Sequence, residues 1–282
     1  MKSLKKLFAS ICLLLCLTGC GVQAPSGGVA ATTAPVAQFA TAIAQGTDVQ
    51  VTQVISDTVS CLHDYSLSVR QMEVLSSSDL VLCSGAGLED FMEDALRQAK
   101  VCDCSAGVEL IEKTHGDHSH ADPHIWLDPD RAALMAENIC AALTEQYPEH
   151  EAVFSQNCAE LTQKLHELGT WGREELADCE REIITFHDGF SYLAEAFGLT
   201  ILASVEEESG SEASAADLTE IVSLVKEREL DCVFTEVNGS NAAASVIAAE
   251  TGAESYALDT AMSRDYFEAM EANIQILKEA LQ

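Results

Sequence analysis

From residue 29 onward, short apolar runs alternate with stretches whose apolar residues recur every three or four positions, and no other feature narrows the possible folds so far. Runs too short for helices, separated by helical patterns, imply parallel strands joined by crossover helices. Strands are expected over 29–33, 49–55 and 80–83, and helices over 36–45, 67–77 and 88–99. After Asp128-Pro129, which reads as an N-cap followed by a first helical residue, a helix should reach residue 143. The alternation returns late in the chain, with strands over 182–186, 200–204, 231–235 and 254–258. Helices are expected there over 189–197, 218–229 with Asp217 as N-cap, 241–251 and 266–281, and an acidic Gly/Ser-rich loop begins at Glu206.

Between these two regions the period changes. Phe154, Cys158, Leu161, Leu165 and Leu168 follow steps of four, three, four and three, which is one apolar face of a helix. A helix over 149–179 would run about 40 Å at 1.5 Å per residue. The expected fold class is α/β: two lobes of parallel-type sheet with flanking helices, residues 21–148 and 180–282, joined by one long rigid helix.

With 48% hydrophobic residues the chain can bury such cores. Its formal net charge of -31 repels nucleic acid and removes that class of partner. Residues 1–20 stand apart: Lys2, Lys5 and Lys6 precede an apolar run too short to span a bilayer, and LTGC ends at Cys20. This pattern resembles a bacterial lipoprotein signal, with Cys20 as the lipidated first residue of a mature protein held at the outer face of the cell membrane. Eight further cysteines follow, Cys61, Cys83, Cys102, Cys104, Cys140, Cys158, Cys179 and Cys232; export permits disulfides, but the sequence selects no pairing. Cys83, Cys140, Cys158 and Cys232 fall at apolar positions, where cysteine acts as a small hydrophobe, so structural thiols are expected.

Polar groups suited to metal binding fall just after strands. The tract from His115 to Pro129, HGDHSHADPHIWLDP, holds His115, His118, His120 and His124, and imidazole is a common ligand for borderline divalent metals. His63 follows the second strand, His187 follows ITF, Glu236 follows CVFT and Asp259 follows SYAL. In open parallel sheets ligands bind in the crevice beyond the carboxyl ends of the strands, so these scattered residues can converge there.

At this point the order of segments becomes specific. DLVLCSGAGLEDFM, DPHIWLDP, TFHDGFSYLAEAFGL, VFTEVNGSNAAASVIAAETGA and ALDTAMSRDYFEAMEANIQIL, together with the LTGC signal and His63, resemble the zinc and manganese receptor lipoproteins of ABC importers. The resemblance covers essentially the whole mature chain. It implies one metal ion enclosed between two lobes, with His63, His124, His187 and the Asp259 carboxylate as ligands, and transfer of that ion to a membrane permease by a monomeric, non-enzymatic receptor. Manganese receptors of this group carry a carboxylate where His187 stands. Three imidazoles and one carboxylate suit tetrahedral zinc, whereas harder manganese prefers oxygen, so Zn2+ is expected before Mn2+.

Other roles stay open on the sequence. Glu236 can be an alternative fourth ligand, an orienting group behind one, or a helix cap. His115, His118 and His120 form either an outer capture site or a solvated loop. Asp122, Asp128 and Asp188 can each orient an imidazole, while Trp126 is expected to pack beneath His124. The segment before His63 lacks the Pro-Gly-rich run of the family, and Thr260-Ala261-Met262 follows Asp259 where a proline is frequent. A manganese or other divalent-metal receptor or adhesin on the same fold is the alternative. A zinc-dependent hydrolase is a further rival, but neither an HExxH motif nor a Gly-x-Ser-x-Gly elbow occurs.

Overall fold

The computed structural model describes residues 27–55, 65–115, 118–206 and 214–282. The first lobe begins with β1 (Val29–Ala31), α1 (Ala34–Ala44), β2 (Val51–Gln53), α2 (Val69–Ser77) and β3 (Leu80–Cys83). A 3-10 turn at Asp90–Met92, the short α3 (Glu93–Leu96) and β4 (Val101–Asp103) complete its sheet, which has the all-parallel order β2-β1-β3-β4. β3 is buried along its full length, as a central parallel strand covered on both faces must be.

Next come β5 (Glu112–His115) and β6 (His118–Ala121), a separate antiparallel pair in which His115 stands opposite His118. A 3-10 turn over Ile125–Leu127 then leads to α4 (Pro129–Gln146). Asp128 caps α4 through its Oδ1, which accepts from the Asp130 and Arg131 amides at 2.8 and 3.4 Å.

The long helix α5 spans Glu151–Glu175, 25 residues, or about 37 Å at 1.5 Å per residue. Its buried face is Phe154, Cys158, Leu161, Leu165, Leu168, Gly169 and Gly172, continuing the period read in the sequence. The amino-terminal part lies on α1 and α4, and Asn157 ties off the end of α1 by donating to the carbonyls of Ile43 and Gln45.

The second lobe contains β7 (Glu182–His187), α6 (Ser191–Phe197), β8 (Thr200–Glu206), α7 (Ala215–Arg228), β9 (Cys232–Glu236), α8 (Ala242–Thr251), β10 (Glu254–Leu258) and α9 (Tyr266–Ala280). Its sheet is parallel in the order β10-β9-β7-β8. Close approach fixes how α5 reaches this lobe: a Cβ at Gly172 would lie 2.4 Å from the Phe197 ring and 2.8 Å from Ile274 Cδ1.

The lobes do not have wholly separate cores. One apolar cluster runs from Leu80 and Leu82 through Met135, Leu161 and Leu165 to Phe197 and Ile274, with a smaller cluster on the far face of each sheet. Buried hydrogen bonds cross the same boundary: Trp126 Nε1 donates to the Thr260 carbonyl at 2.8 Å, and the Tyr266 hydroxyl to the Trp126 carbonyl at 2.7 Å. Burying shared apolar surface and these polar links together favours a fixed relation between the lobes.

Local expectations differ from the structure in four places. The helix expected over 88–99 shrinks to a 3-10 turn and α3, because Glu89 turns inward and accepts from the Thr32 hydroxyl at 2.6 Å and from the Ser84 and Gly85 amides at 2.7 and 3.0 Å. Ser214, not Asp217, is the N-cap of α7; Asp217 sits three residues on and returns its carboxylate to the Ser214 amide, closing a capping box. β4 is too short and exposed to show a pattern in the sequence. The β5–β6 pair is held by backbone pairing between polar segments, so it also lacks the apolar alternation that marks a strand.

Candidate metal centre

His124 follows β6 and a buried Asp122-Pro123 step. Asp122 Oδ1 accepts from the His124 backbone amide at 3.0 Å and meets His124 Nδ1 at 2.9 Å. A carboxylate only accepts, so Nδ1 carries the proton and the Nε2 lone pair is presented to the cleft. Burial pushes the Asp122 carboxyl up, but the bond and charge of His124, with the nearby Lys113, outweigh it and hold the group well below the usual carboxylate range.

His187 ends β7, on the opposite lobe, and its Nε2 lies 3.2 Å from His124 Nε2. Two nitrogens bound tetrahedrally at about 2.05 Å from one zinc ion are separated by about 3.3 Å. The two rings stand edge to face with centroids 4.9 Å apart, and Phe190 supports His187 at 5.8 Å. Burial, then the charges of His124 and Lys113, push the His187 pKa down to about 3, so the ring is neutral and able to ligate at ordinary pH. Gly189 leaves room for this pair: a Cβ there would fall 2.2 Å from His187 Nε2 and 2.7 Å from His124 Cε1. Trp126 packs beside His124 with ring centroids 5.5 Å apart.

The remaining residues sort by what they face. Glu236 Oε2 lies 3.8 Å from His187 Nδ1, on the side of the ring away from His124. Asp259 is buried, yet its Oδ2 is 2.9 Å from Arg264 Nε and its Oδ1 accepts from the Ala261 amide at 2.8 Å. Asn273 fixes the Asp259 backbone from both sides. Among the three candidate orienting aspartates, Asp122 serves His124, whereas Asp128 caps α4 and pairs with Arg131, and Asp188 accepts from the Ser204 hydroxyl and faces Lys113. His150 and His166 pair with Asp48 and Asp130 at the surface, away from the cleft.

Thus the structure brings His124 and His187 together, with Glu236 behind the second. Among the described residues no three His, Cys, Asp or Glu side chains converge on one point. His63 and Cys20 lie outside the described residues, as do Cys61 and most of the loop that begins at Glu206. His115 and His118 occupy the facing ends of β5 and β6, and His120 pairs across that ribbon with Lys113. The seven described cysteines are thiols, and Cys158 and Cys232 donate to helix carbonyls of Ala136 and Ala280.

Sequence reasoning missed Lys113. Its ammonium reaches Asp122 Oδ2 at 3.1 Å and Asp188 Oδ1 at 2.8 Å and also donates to the Asp188 carbonyl. The available signal was a lone cation in an acidic, histidine-rich tract, which by itself reads as a solvated side chain.

Comparison with known proteins decides the family. The model described as ZnuA, zinc-uptake complex component A periplasmic, matches residues 29–280. The chain belongs to that family. Within it, the zinc-binding lipoprotein AdcA of Streptococcus pneumoniae (strain ATCC BAA-255 / R6) is 28% identical across 99% of this chain and 61% of its own length, so the chain spans about three fifths of that relative. The manganese-binding lipoprotein MntA of Bacillus subtilis (strain 168) is 31% identical over 234 residues, 78% of this chain and 76% of MntA. The crystal structure of ZnuA superposes with a TM-score of 0.82 at 26% identity, covering 91% of this chain and 100% of that one. The two parallel-sheet lobes and long helix are therefore the ZnuA architecture. Among the described residues no helix is long and apolar enough to cross a membrane.

Proposed function

We propose that this ZnuA-family chain is an extracytoplasmic receptor that captures Zn2+ and hands it to the permease of an ABC importer. The observation that carries the reading is the pair of Nε2 atoms 3.2 Å apart on opposite lobes, one of them aimed by a carboxylate at its Nδ1. His63, His124, His187 and Asp259 are the proposed ligands, with Glu236 orienting His187 from its far nitrogen. Asp259 would exchange Arg264 for the ion on binding. Both placed imidazoles are borderline donors, and the nearest carboxylates are engaged by Lys113, Arg264 or His124, which favours zinc over manganese.

In this reading residues 1–20 are a lipoprotein signal, Cys20 carries the lipid, and residues 21–148 and 180–282 are lobes on either side of a linking helix within 149–179. The names of AdcA and MntA as lipoproteins support the anchor. A monomer suffices, since both placed ligands come from one chain. A hydrolase would need an open coordination position and a base poised beside it; Glu236 is instead behind His187, and the other nearby carboxylates have the partners named above.

The test is metal content of the purified chain, followed by zinc against manganese competition with a chelator. One tightly held zinc per chain is expected, and His124→Ala or His187→Ala should weaken it by about a hundredfold or more. Unchanged affinity in either variant rejects the ligand assignment, and preference for manganese rejects the choice of ion.

A further inference from the structure

Two thiols meet between the helices that pack together under the first lobe. Cys140 lies on α4 and Cys158 on α5, with seventeen residues between them in the chain. Cys158 Sγ reaches the Ala136 carbonyl at 3.7 Å, and Ala136 stands one helical turn before Cys140. Side chains on a helix lean toward its amino terminus, so the Cys140 thiol lies over that same turn and the two side chains are in hydrogen-bond contact. Cys158 is buried in the apolar cluster that α4 and α5 share, whereas Cys140 is half-buried at its edge. The contact also makes the two thiols unequal. The bond from Cys158, with a second from the Thr144 hydroxyl, holds the Cys140 thiol below its ordinary value against burial and the Glu137 charge. Cys158 has one proton to donate, which turns from the Ala136 carbonyl to the Cys140 sulfur as Cys140 ionises. That bond, and then burial, push the Cys158 thiol up.

We propose that Cys140 and Cys158 are a redox pair whose disulfide staples α4 to α5, with the half-buried Cys140 as the attacking thiol and the buried Cys158 as the resolving one. The co-reactant is a disulfide of the glutathione or thiol-oxidoreductase class, as an oxidising compartment supplies. The Cys140 thiolate attacks one sulfur of that disulfide, expels the other as a thiolate and leaves a mixed disulfide. Cys158 then gives up its proton and attacks Cys140 Sγ, expelling the second thiolate. Two protons and two electrons pass from the pair to the co-reactant, which leaves as two thiols. The oxidising setting rests on the extracytoplasmic reading above; the contact between the thiols does not. Cys102 and Cys104 also touch, but they are two positions apart, so a bond between them would constrain almost none of the unfolded chain. A bond from Cys140 to Cys158 closes a loop that includes the turn joining the two helices.

In the test, the full chain is equilibrated with oxidised glutathione, its remaining thiols are alkylated after denaturation, and the products are mapped by mass spectrometry. A Cys140–Cys158 bond is expected, with a melting temperature roughly 5 °C above that of the reduced chain, as closure of a loop of this length implies. Cys158→Ala should trap glutathione on Cys140, Cys140→Ala should leave Cys158 unmodified, and neither variant should gain the thermal shift. If an alanine variant does not fold, alkylation of the native, reduced chain replaces it, and Cys140 should react at least about tenfold faster than Cys158. Both thiols persisting under oxidation, a bond mapped only to Cys102 and Cys104, equal alkylation rates, or a Cys140–Cys158 bond without a thermal shift overturns the proposal. A chain that forms this bond yet holds no zinc overturns the receptor reading alone.

Discussion

Gly189→Ala isolates the geometry of the two facing imidazoles. Its backbone does not require a left-handed conformation, so the added methyl group acts through space alone. That methyl would lie 2.2 Å from His187 Nε2, 2.5 Å from His187 Cδ2 and 2.7 Å from His124 Cε1. Ordinary contact begins near 3.4 Å, so the His187 ring must retreat by roughly an ångström. Metal–ligand distances tolerate only about 0.2 Å, so such a retreat removes one nitrogen from the ion. Losing support for a single ligand costs about 10- to 100-fold in affinity, and losing the bond itself should reach the upper end, about 2.8 kcal/mol. Chelator competition reads the affinity, and metal-free thermal unfolding reads the fold. The expected result is zinc binding weakened by about a hundredfold with the metal-free melting temperature little changed. Binding within about threefold of the unaltered chain would refute the claim that His187 Nε2 and His124 Nε2 share an ion.

Two further outcomes bear on the groups around this pair. Arg264→Ala frees the Asp259 carboxylate from a half-exposed guanidinium; since such pairs are worth up to about 1 kcal/mol, zinc affinity should rise by roughly threefold to fivefold, and a fall would remove Asp259 from the ligand set. His187, facing His124, Lys113, Asp122 and Glu236, has its pKa lowered to about 3 in the fold against about 6.5 in an unfolded chain. The unfolded state therefore takes up a proton first, so the stability this residue contributes is complete above about pH 6.5 and is lost as pH falls toward 3, with a slope approaching about 1.4 kcal/mol per pH unit. Urea unfolding of the metal-free chain between about pH 6.5 and 4.5, above the range in which Asp122 titrates, should show a shallower slope for His187→Gln than for the unaltered protein. Parallel curves would contradict the burial of a neutral His187.

Much of the architecture was legible because periodicity is a local property. The run at 80–83, four apolar residues between turn signals, reads as a buried strand by its length and flanks, and the steps from Phe154 to Leu168 place one apolar face along a helix. Asp128-Pro129 carried its own helix start, since a cap and a fixed φ act within three residues. Residue chemistry also pointed to metal: His187 ends β7 at the carboxyl edge of a parallel sheet, where ligands bind, whereas His124 follows the antiparallel β5–β6 ribbon, to which that rule does not extend. The histidine-dense tract was less informative than its appearance, because its backbone pairs as a polar ribbon whose pattern no apolar period reports.

What only the tertiary structure decided is which partners each polar group meets. Asp122, Asp128 and Asp188 are equivalent candidates in a linear chain, yet packing gives the first to His124, the second to the end of α4, and the third to Ser204 and Lys113. Asp259 carries the residue type expected of a ligand, while the turn after it brings in Arg264. Lys113 is separated from Asp188 by 75 positions, and no local rule connects them. Periodicity and capping act over a few residues and survive in sequence; ion pairs and ring contacts across a cleft depend on how two sheets are set on a shared helix, and only the folded chain fixes that.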